Sequence, residues 1–116
     1  MTLNEYQQAA QETAIYPQEY KVIYPALGMN GEAGECADKV KKILRDTVIL
    51  KDKDGAICLT DEQRESLALE IGDVLWCCAA LANDIGLTLD DVAKKNIYKL
   101  ISRKQRNKLG GSGDYR

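Results

Sequence analysis

Apolar residues recur every three to four positions in four stretches of the chain, which is the spacing of an amphipathic α-helix. The first stretch follows a capping box made by Thr2 and Glu5, and it predicts a helix over residues 3–14. The second begins beside Pro25, a residue suited to the first turn of a helix, and predicts a helix over residues 26–45.

The third stretch opens on a second capping box, formed by Thr60 and Gln63, and runs to about Asp84. Gly86 is placed to end it, because glycine adopts the left-handed conformation at a helix C-terminus without strain. The apolar positions of this long helix are Leu67, Ile71, Val74, Leu75, Ala79 and Leu81.

Thr88 and Asp91 restart the chain as a fourth helix, which carries an apolar stripe and ends in a basic segment. The stripe consists of Leu89, Val92, Ile97, Leu100 and Ile101. The whole pattern predicts an all-α, four-helix bundle formed by a single domain over residues 1–116, with the second and third helices side by side.

Two segments break the helical spacing. Residues 48–59, VILKDKDGAICL, place β-branched side chains around a Lys-Asp-Lys-Asp-Gly turn, which favours a short hairpin or ordered loop inserted over residues 47–59. An EF-hand is excluded, because aligning Gly55 with the invariant glycine of that loop puts Leu50 at the first ligand position. The tail, residues 109–116, is too rich in glycine for a helix.

Composition narrows the class of protein. The chain has 116 residues and a net charge of −2 with both signs mixed along it, so we expect no partner among nucleic-acid polymers. It has no signal peptide and no membrane-length apolar run, and we expect no membrane partner. The four cysteines, with no histidine in the chain, match no zinc or redox spacing and predict small buried residues in a cytoplasmic protein.

Two acidic pairs carry the candidate chemistry. Glu32 and Glu35 lie in GEAGE on the second helix, and Glu70 and Asp73 lie in LEIGD on the third. A spacing of three residues puts both members of a pair on one helix face, where their carboxylates repel unless a cation such as Mg²⁺ neutralises them. Each pair alone is compatible with a solvated surface. Together, between apolar neighbours on the third helix, they predict one metal site shared by the two helices.

Basic residues accompany the carboxylates. Lys39 and Lys42 follow Glu35 by one and two turns, and Lys99 and Arg103 repeat a similar spacing on the fourth helix. Each is individually compatible with an ordinary surface base. Carboxylates beside cations are typical of a site that holds a metal ion and phosphate together.

The sequence resembles a known family over nearly its whole length. The segments YPALGMNGEAGECADKVKKILRD, LALEIGDVLW and DIGLTLDDVAKKNIYKLISRKQR, with the ending GSGDYR, resemble the MazG-like nucleoside triphosphate pyrophosphohydrolases of the all-α superfamily. The resemblance implies hydrolysis of a nucleoside triphosphate, including a deoxy or non-canonical one, to the monophosphate and pyrophosphate. It also implies Mg²⁺ as the cofactor, with Mn²⁺ as a substitute ion.

Carried over by motif, the resemblance implies roles for individual residues. The metal ligands would be Glu32, Glu35, Glu70 and Asp73, and the phosphate ligands would be Asn96, Lys99 and Arg103, with Lys39 a further candidate. The reaction needs a water in line with the α-phosphorus and a group that takes its proton. With histidine absent, that group is a carboxylate or a metal-bound hydroxide, and Glu35 is the preferred carboxylate because the acidic cluster and Lys39 are its neighbours.

The nucleoside pocket and the oligomeric assembly each have more than one interpretation. Trp76 would stack on a base or belong to the core. Asp114 and Arg116 in the tail would close over a substrate, at the same or a neighbouring subunit. Family members are generally homodimers or dimers of dimers, which makes an intersubunit surface the alternative to a core position for Leu81, Ile85 and Leu87.

Two further functions fit the same residues. One is a non-catalytic, oligomeric helical binding or regulatory module that keeps a divalent ion for structure, and a closed coordination shell would distinguish it from an enzyme. The other is a related enzyme that acts on phosphoribosyl-ATP, dUTP or dCTP, which a substrate panel would identify.

Overall fold

The computed structural model describes all 116 residues and is mostly helical. Its helices, strands and one 3₁₀ turn are α1 Leu3–Gln11, the 3₁₀ turn Gln18–Tyr20, α2 Ile23–Asp46, β1 Leu50–Lys51, β2 Ile57–Cys58, α3 Asp61–Asp84 and α4 Leu89–Gln105. The predicted helices and the predicted hairpin are confirmed. No helix combines the length and the apolar character that crossing a membrane would require.

Local sequence explains where three of the helices begin. Thr2, Thr60 and Thr88 each accept a hydrogen bond from the backbone N–H three residues on, and the side chain at that position accepts one from the backbone N–H of the threonine. Each capping threonine contributes on the order of 1 kcal/mol to its helix. Gly86 follows α3 with a φ of 76°, which is the left-handed conformation predicted for it from the sequence.

The first two helices differ slightly from their predicted bounds. α1 ends at Gln11 instead of residue 14, because the N–H groups of Thr13 and Ala14 donate three residues back, to Ala10 and Gln11, in a tighter turn. α2 starts at Ile23 after Val22, whose φ of 70° is unusual for a β-branched residue. The N–H of Val22 donates to the carboxylate of Asp84 at 2.9 Å, and this contact from the end of α3 holds the turn in place.

α2 and α3 form the main helix pair. They run antiparallel, since Gly28 lies against Cys77 at one end of the pair and Lys39 reaches Ser66 towards the other. The hairpin pairs Leu50 with Cys58, and its Ile57 lines an apolar pocket with residues of α2 and α3, which remain in contact with each other.

The buried core is small and lies where α1, the second half of α3 and the start of α4 meet. Its apolar members are Ala10, Cys77, Ala79, Ala80, Ala82 and Leu89, and Pro25 of α2 is also fully buried. The prediction of buried cysteines therefore holds for Cys77, whereas Cys36 and Cys78 are half-buried. It is wrong for Cys58, which lies on the short exposed strand β2 and has no element packed over it.

Candidate metal and nucleotide site

Three of the four predicted metal ligands converge. Glu32 projects from α2, and Glu70 and Asp73 project from the facing stretch of α3. One carboxylate oxygen of each lies within 4.8 Å of the others, with Glu32 and Glu70 half-buried and Asp73 exposed. We call these three residues the acidic trio. Carboxylate oxygens at this spacing suit a hard divalent cation such as Mg²⁺ or Mn²⁺.

Glu35 does not join the acidic trio. It lies one turn after Glu32 on α2, and its side chain is exposed. The helical spacing brings Glu35 to the neighbourhood of the site, but in this structure no side chain on α3 holds its carboxylate there. Its roles as a fourth ligand and as the general base stay predictions.

Lys39 supplies the counter-charge at one corner of the trio. Its Nζ lies 2.5 Å from Oε1 of Glu70 and donates to the carbonyl oxygen of Ser66 at 3.0 Å. Glu32 and Asp73 make no ion pair, so the trio with Lys39 keeps two uncompensated negative charges. This surplus is the second reason why the donor set fits a divalent cation.

A cleft of about 450 Å³ opens beside the trio. Glu32 and Asp73 form its acidic wall, and the rest of its lining consists of Tyr24, Leu27, Gly28, Trp76 and Cys77. The cleft therefore combines carboxylates with flat aromatic surfaces, a combination that suits a nucleotide.

The aromatic wall is braced from outside the cleft. Tyr16 stacks on Tyr24 with ring centroids 4.8 Å apart and meets Trp76 edge-on at 6.4 Å. The indole N–H of Trp76 donates to the hydroxyl of Thr13 at 2.8 Å. Trp76 thus packs on the core and also lines the cleft, so its core role is observed and its stacking on a base stays a prediction.

Gly28 determines how closely the two helices approach below the cleft. A Cβ added to Gly28 would lie 3.0 Å from Sγ of Cys77, closer than a carbon and a sulfur pack without displacement. A side chain at this position would require Cys77 or one of the helices to shift by a few tenths of an ångström. The acidic trio spans these two helices, so the glycine helps set the distance across it.

Burial and nearby carboxylates raise the pKa values of three groups around the site. Burial raises the pKa of the Cys77 thiol, and the carboxylate of Glu32 raises it further. Burial and then the charge of Asp73 likewise raise the pKa of Tyr6. Burial and a hydrogen bond donated to Asp84 raise the pKa of Tyr16 to about 12. Each of these shifts favours the protonated form, so the groups stay neutral beside the carboxylates at pH 7.

Two of the predicted phosphate ligands on α4 contact the tail in this structure. Lys99 is 3.3 Å from the carboxylate of Asp114, and the buried guanidinium of Arg103 donates to the carbonyl oxygens of Gly113 and Asp114 at 3.1 and 3.0 Å. Asn96 is exposed on the same helix. Lys99 and Arg103 therefore hold the tail and make no ion pair with the acidic trio.

The tail also closes on itself. Arg116 donates through Nε to the carbonyl of Gly110 at 2.9 Å, and Arg106 donates to the carbonyl of Arg116 at 2.8 Å. The nearby ammonium of Lys99 is the main reason that the pKa of Asp114 falls below its usual range. In this structure Asp114 and Arg116 thus stabilise the tail against α4.

Several cleft residues were not selected from the sequence, although a signal for them existed. Tyr24 and Gly28 precede Glu32 at intervals of four residues, and Cys77 follows Asp73 at the same interval. Positions at this interval share a helix face, so extending the faces of the two acidic pairs would have identified these residues.

An antiparallel helix pair that joins three carboxylates to an aromatic cleft defines an all-α protein with a candidate site for a divalent cation. The MazG nucleotide pyrophosphohydrolase domain matches residues 24–107, which contain the whole acidic trio, and the chain belongs to this family. The predicted family is thereby confirmed, and with it a nucleotide pyrophosphohydrolase domain.

The chain is also similar to a phage protein. It is 47% identical over 122 aligned positions to the Gene 37 protein of Mycobacterium phage L5, and the alignment covers 100% of both chains. No solved structure matches the chain.

Proposed function

We propose that the protein hydrolyses a nucleoside triphosphate to the monophosphate and pyrophosphate, with Mg²⁺ as its cofactor. The observation that carries the proposal is the convergence of Glu32, Glu70 and Asp73 from two helices. Membership of the MazG nucleotide pyrophosphohydrolase domain family supports the reaction class. The aromatic cleft beside the trio supports a nucleotide as the substrate.

The acidic trio would hold the cation, which would neutralise negative charge on the phosphate oxygens. Glu35 would accept a proton from the attacking water, whose oxygen forms the new bond to the α-phosphorus. The bond from the α-phosphorus to the oxygen bridging to the β-phosphate breaks, and pyrophosphate leaves with that oxygen. Lys39, already at Glu70, is the cation of this chain best placed to meet the departing phosphates.

Asn96, Lys99 and Arg103 remain proposed phosphate ligands. Because Lys99 and Arg103 hold the tail, contact with the phosphates would require the tail to move or a second subunit to present its own α4. We therefore include assembly as a homodimer or dimer of dimers in the proposal. The base would lie in the aromatic cleft, with Trp76 as its stacking partner.

The test is pyrophosphate release with Mg²⁺ from a panel of canonical, deoxy and non-canonical nucleoside triphosphates, phosphoribosyl-ATP included. We expect turnover of at least one of them, and a loss of kcat of at least about 100-fold in Glu32→Gln and in Asp73→Asn. Glu65→Gln is the matched control, because Glu65 is exposed on α3 outside the trio. Glu35→Gln tests the proposed base in the same assay.

Three results would contradict parts of the proposal. Unimpaired turnover in both trio variants would refute the assigned metal site. Turnover that persists after chelation and dialysis would refute the metal dependence. No release from any nucleotide, with Mn²⁺ still bound by the trio, would show a non-catalytic binding module instead of an enzyme.

A further inference from the structure

A second cavity lies in the same groove between α2 and α3, on the opposite side of the trio from the aromatic cleft. It measures about 490 Å³ and lies between the C-terminal half of α2 and the first turns of α3. Its hydrogen-bond donors are Lys39, Lys42, Thr47, Thr60, Gln63 and Ser66. Ile43 is the only apolar residue that lines this polar cavity.

The chemical character of the groove changes along its length. Because the helices are antiparallel, Tyr24 and Trp76 mark the apolar end, Glu32 and Asp73 mark the acidic middle, and the polar cavity follows. A nucleoside triphosphate has the same order of chemistry, from its base, through the α-phosphate where the reaction occurs, to the two terminal phosphates.

Lys39 joins the acidic middle to the polar cavity. Its Nζ pairs with Glu70 of the trio, and the same side chain lines the cavity beside Ser66. A cation held at Glu70 would satisfy that carboxylate in place of Lys39. The ammonium would then be free to meet phosphate oxygens on the cavity side.

Most carboxylates at or beside the polar cavity are already paired with basic side chains, so they do not cancel the attraction of Lys39 for phosphate. Asp46 is held by Arg45 through two contacts of 2.6 and 2.8 Å, and Lys42 shares Asp38 with its neighbour Lys41. Glu62 has no ion-pair partner and is exposed at the rim. It is therefore the one carboxylate expected to repel an anion in the cavity.

We propose that the polar cavity receives the pyrophosphate half of the substrate, so that the nucleotide lies along the α2–α3 groove with its base towards Tyr24 and Trp76. This inference rests on the proposed function, which supplies the triphosphate. It adds a direction of binding, and a phosphate subsite at the end of the groove nearest the hairpin.

Lys41 and Lys42 provide a matched pair for the test. Both pair with Asp38, at 2.7 and 2.5 Å, but only Lys42 lines the cavity. The measurement is the binding of inorganic pyrophosphate to the full chain with Mg²⁺ by calorimetry, together with its inhibition constant against turnover. We expect Lys42→Gln to weaken pyrophosphate binding about fivefold and Lys41→Gln less than about twofold.

Glu62→Gln should act in the opposite direction and tighten pyrophosphate binding about threefold, because it removes the repelling charge. Binding of the nucleoside monophosphate should stay unchanged in Lys42→Gln, since the monophosphate ends at the acidic middle of the groove. Circular dichroism of each variant checks that it is folded.

Equal effects of Lys41→Gln and Lys42→Gln would overturn the subsite, and so would a loss of monophosphate affinity in place of pyrophosphate affinity. If the parent turns over a nucleotide while either result is found, the proposed function stands and the inference alone fails. If the parent turns over nothing but Lys42→Gln still weakens pyrophosphate binding selectively, the subsite stands without the reaction. If the parent does not bind pyrophosphate, the inference is wrong.

Discussion

Gln7 is the buried polar residue that ties α1 to the rest of the molecule. Its amide nitrogen donates to the carbonyl oxygens of Ala79 and Leu87 at 3.2 and 3.1 Å, and its amide oxygen accepts the N–H of Leu89 at 2.9 Å. These bonds satisfy backbone groups of α3, of the turn that follows it and of the first residue of α4, in a mostly buried region.

We expect Gln7→Leu to lower the free energy of unfolding by about 2–4 kcal/mol, because it leaves the Leu89 N–H and the Leu87 carbonyl without partners. Urea denaturation followed by circular dichroism measures the change. Gln8→Leu is the control, since Gln8 is exposed on the same helix. Equal losses in the two variants would show that the buried bonds contribute nothing specific.

The sequence anticipated some of these residues and not others. The spacing of Glu70 and Asp73 was sufficient to predict that they share a helix face, whereas their meeting with Glu32 depends on how α2 and α3 pack. The burial of Gln7 depends on partners more than 70 residues away, so no local pattern indicates it. Glu35 satisfies the same spacing rule as Glu32, yet it remains exposed because the rule does not specify side-chain orientation.

At the scale of elements, the tail and α4 behave as one unit. Gly111 and Gly113 adopt φ values of 85° and 87°, which lets the chain reverse and present its carbonyls to Arg103. Arg103 is 5% exposed and its Nε has no hydrogen-bond partner, so it pays a desolvation cost that the bonds of Nη2 to the tail offset.

We expect Arg103→Met to release the tail while leaving the helices intact, because methionine fills much of the buried volume but donates no hydrogen bond. Amide hydrogen exchange over residues 110–116 should become at least about tenfold faster, since loss of these bonds removes more than 1.4 kcal/mol of local protection. The free energy of global unfolding should fall by no more than about 2 kcal/mol.

Lys104→Met is the control for the tail, since Lys104 is exposed in the same turn of α4. Unchanged exchange of the tail amides in Arg103→Met would contradict the anchoring role of the arginine. Exchange that accelerates equally in the control would point to a general effect of charge on α4.

At the scale of the whole molecule, the single chain is extended and poorly buried. Its radius of gyration is 17.4 Å, against about 13 Å for a compact chain of this length. Its accessible surface is 8742 Å², against about 6,300 Å² for a folded monomer of its mass. Large apolar side chains are exposed on all four helices, among them Leu3, Leu27, Leu69, Ile71 and Ile97.

The exposed apolar surface predicts that the protein is a homodimer or dimer of dimers in solution at micromolar concentration. Light scattering after size-exclusion chromatography measures the mass. We expect the double substitution Leu69→Lys and Ile71→Lys to weaken assembly at least tenfold, because each residue is more than half exposed in the single chain and would bring a charge into the interface.

Tyr115→Lys serves as the control for assembly, because Tyr115 is fully exposed at the end of the tail. A monomeric parent would refute the prediction. An assembled double variant would show that the interface lies on another face of the molecule.

The sequence by itself determined the features that depend on neighbours along the chain. The capping boxes at Thr60 and Thr88, the stop at Gly86 and the hairpin turn around Gly55 all act within a few residues, so their patterns are sufficient to predict them. The spacing within each acidic pair belongs to the same class, because it follows from the pitch of the helix.

Only the tertiary structure decided which of these features meet. Packing sets how α2 and α3 rotate about their axes and how closely Gly28 lets them approach, and side-chain orientation then brings Glu32, Glu70 and Asp73 together and leaves Glu35 outside. Packing also decides that Lys39 pairs with Glu70 and that Arg103 holds the tail. The partner of a long charged side chain is selected by whichever opposite charge or carbonyl the folded chain brings within a few ångströms.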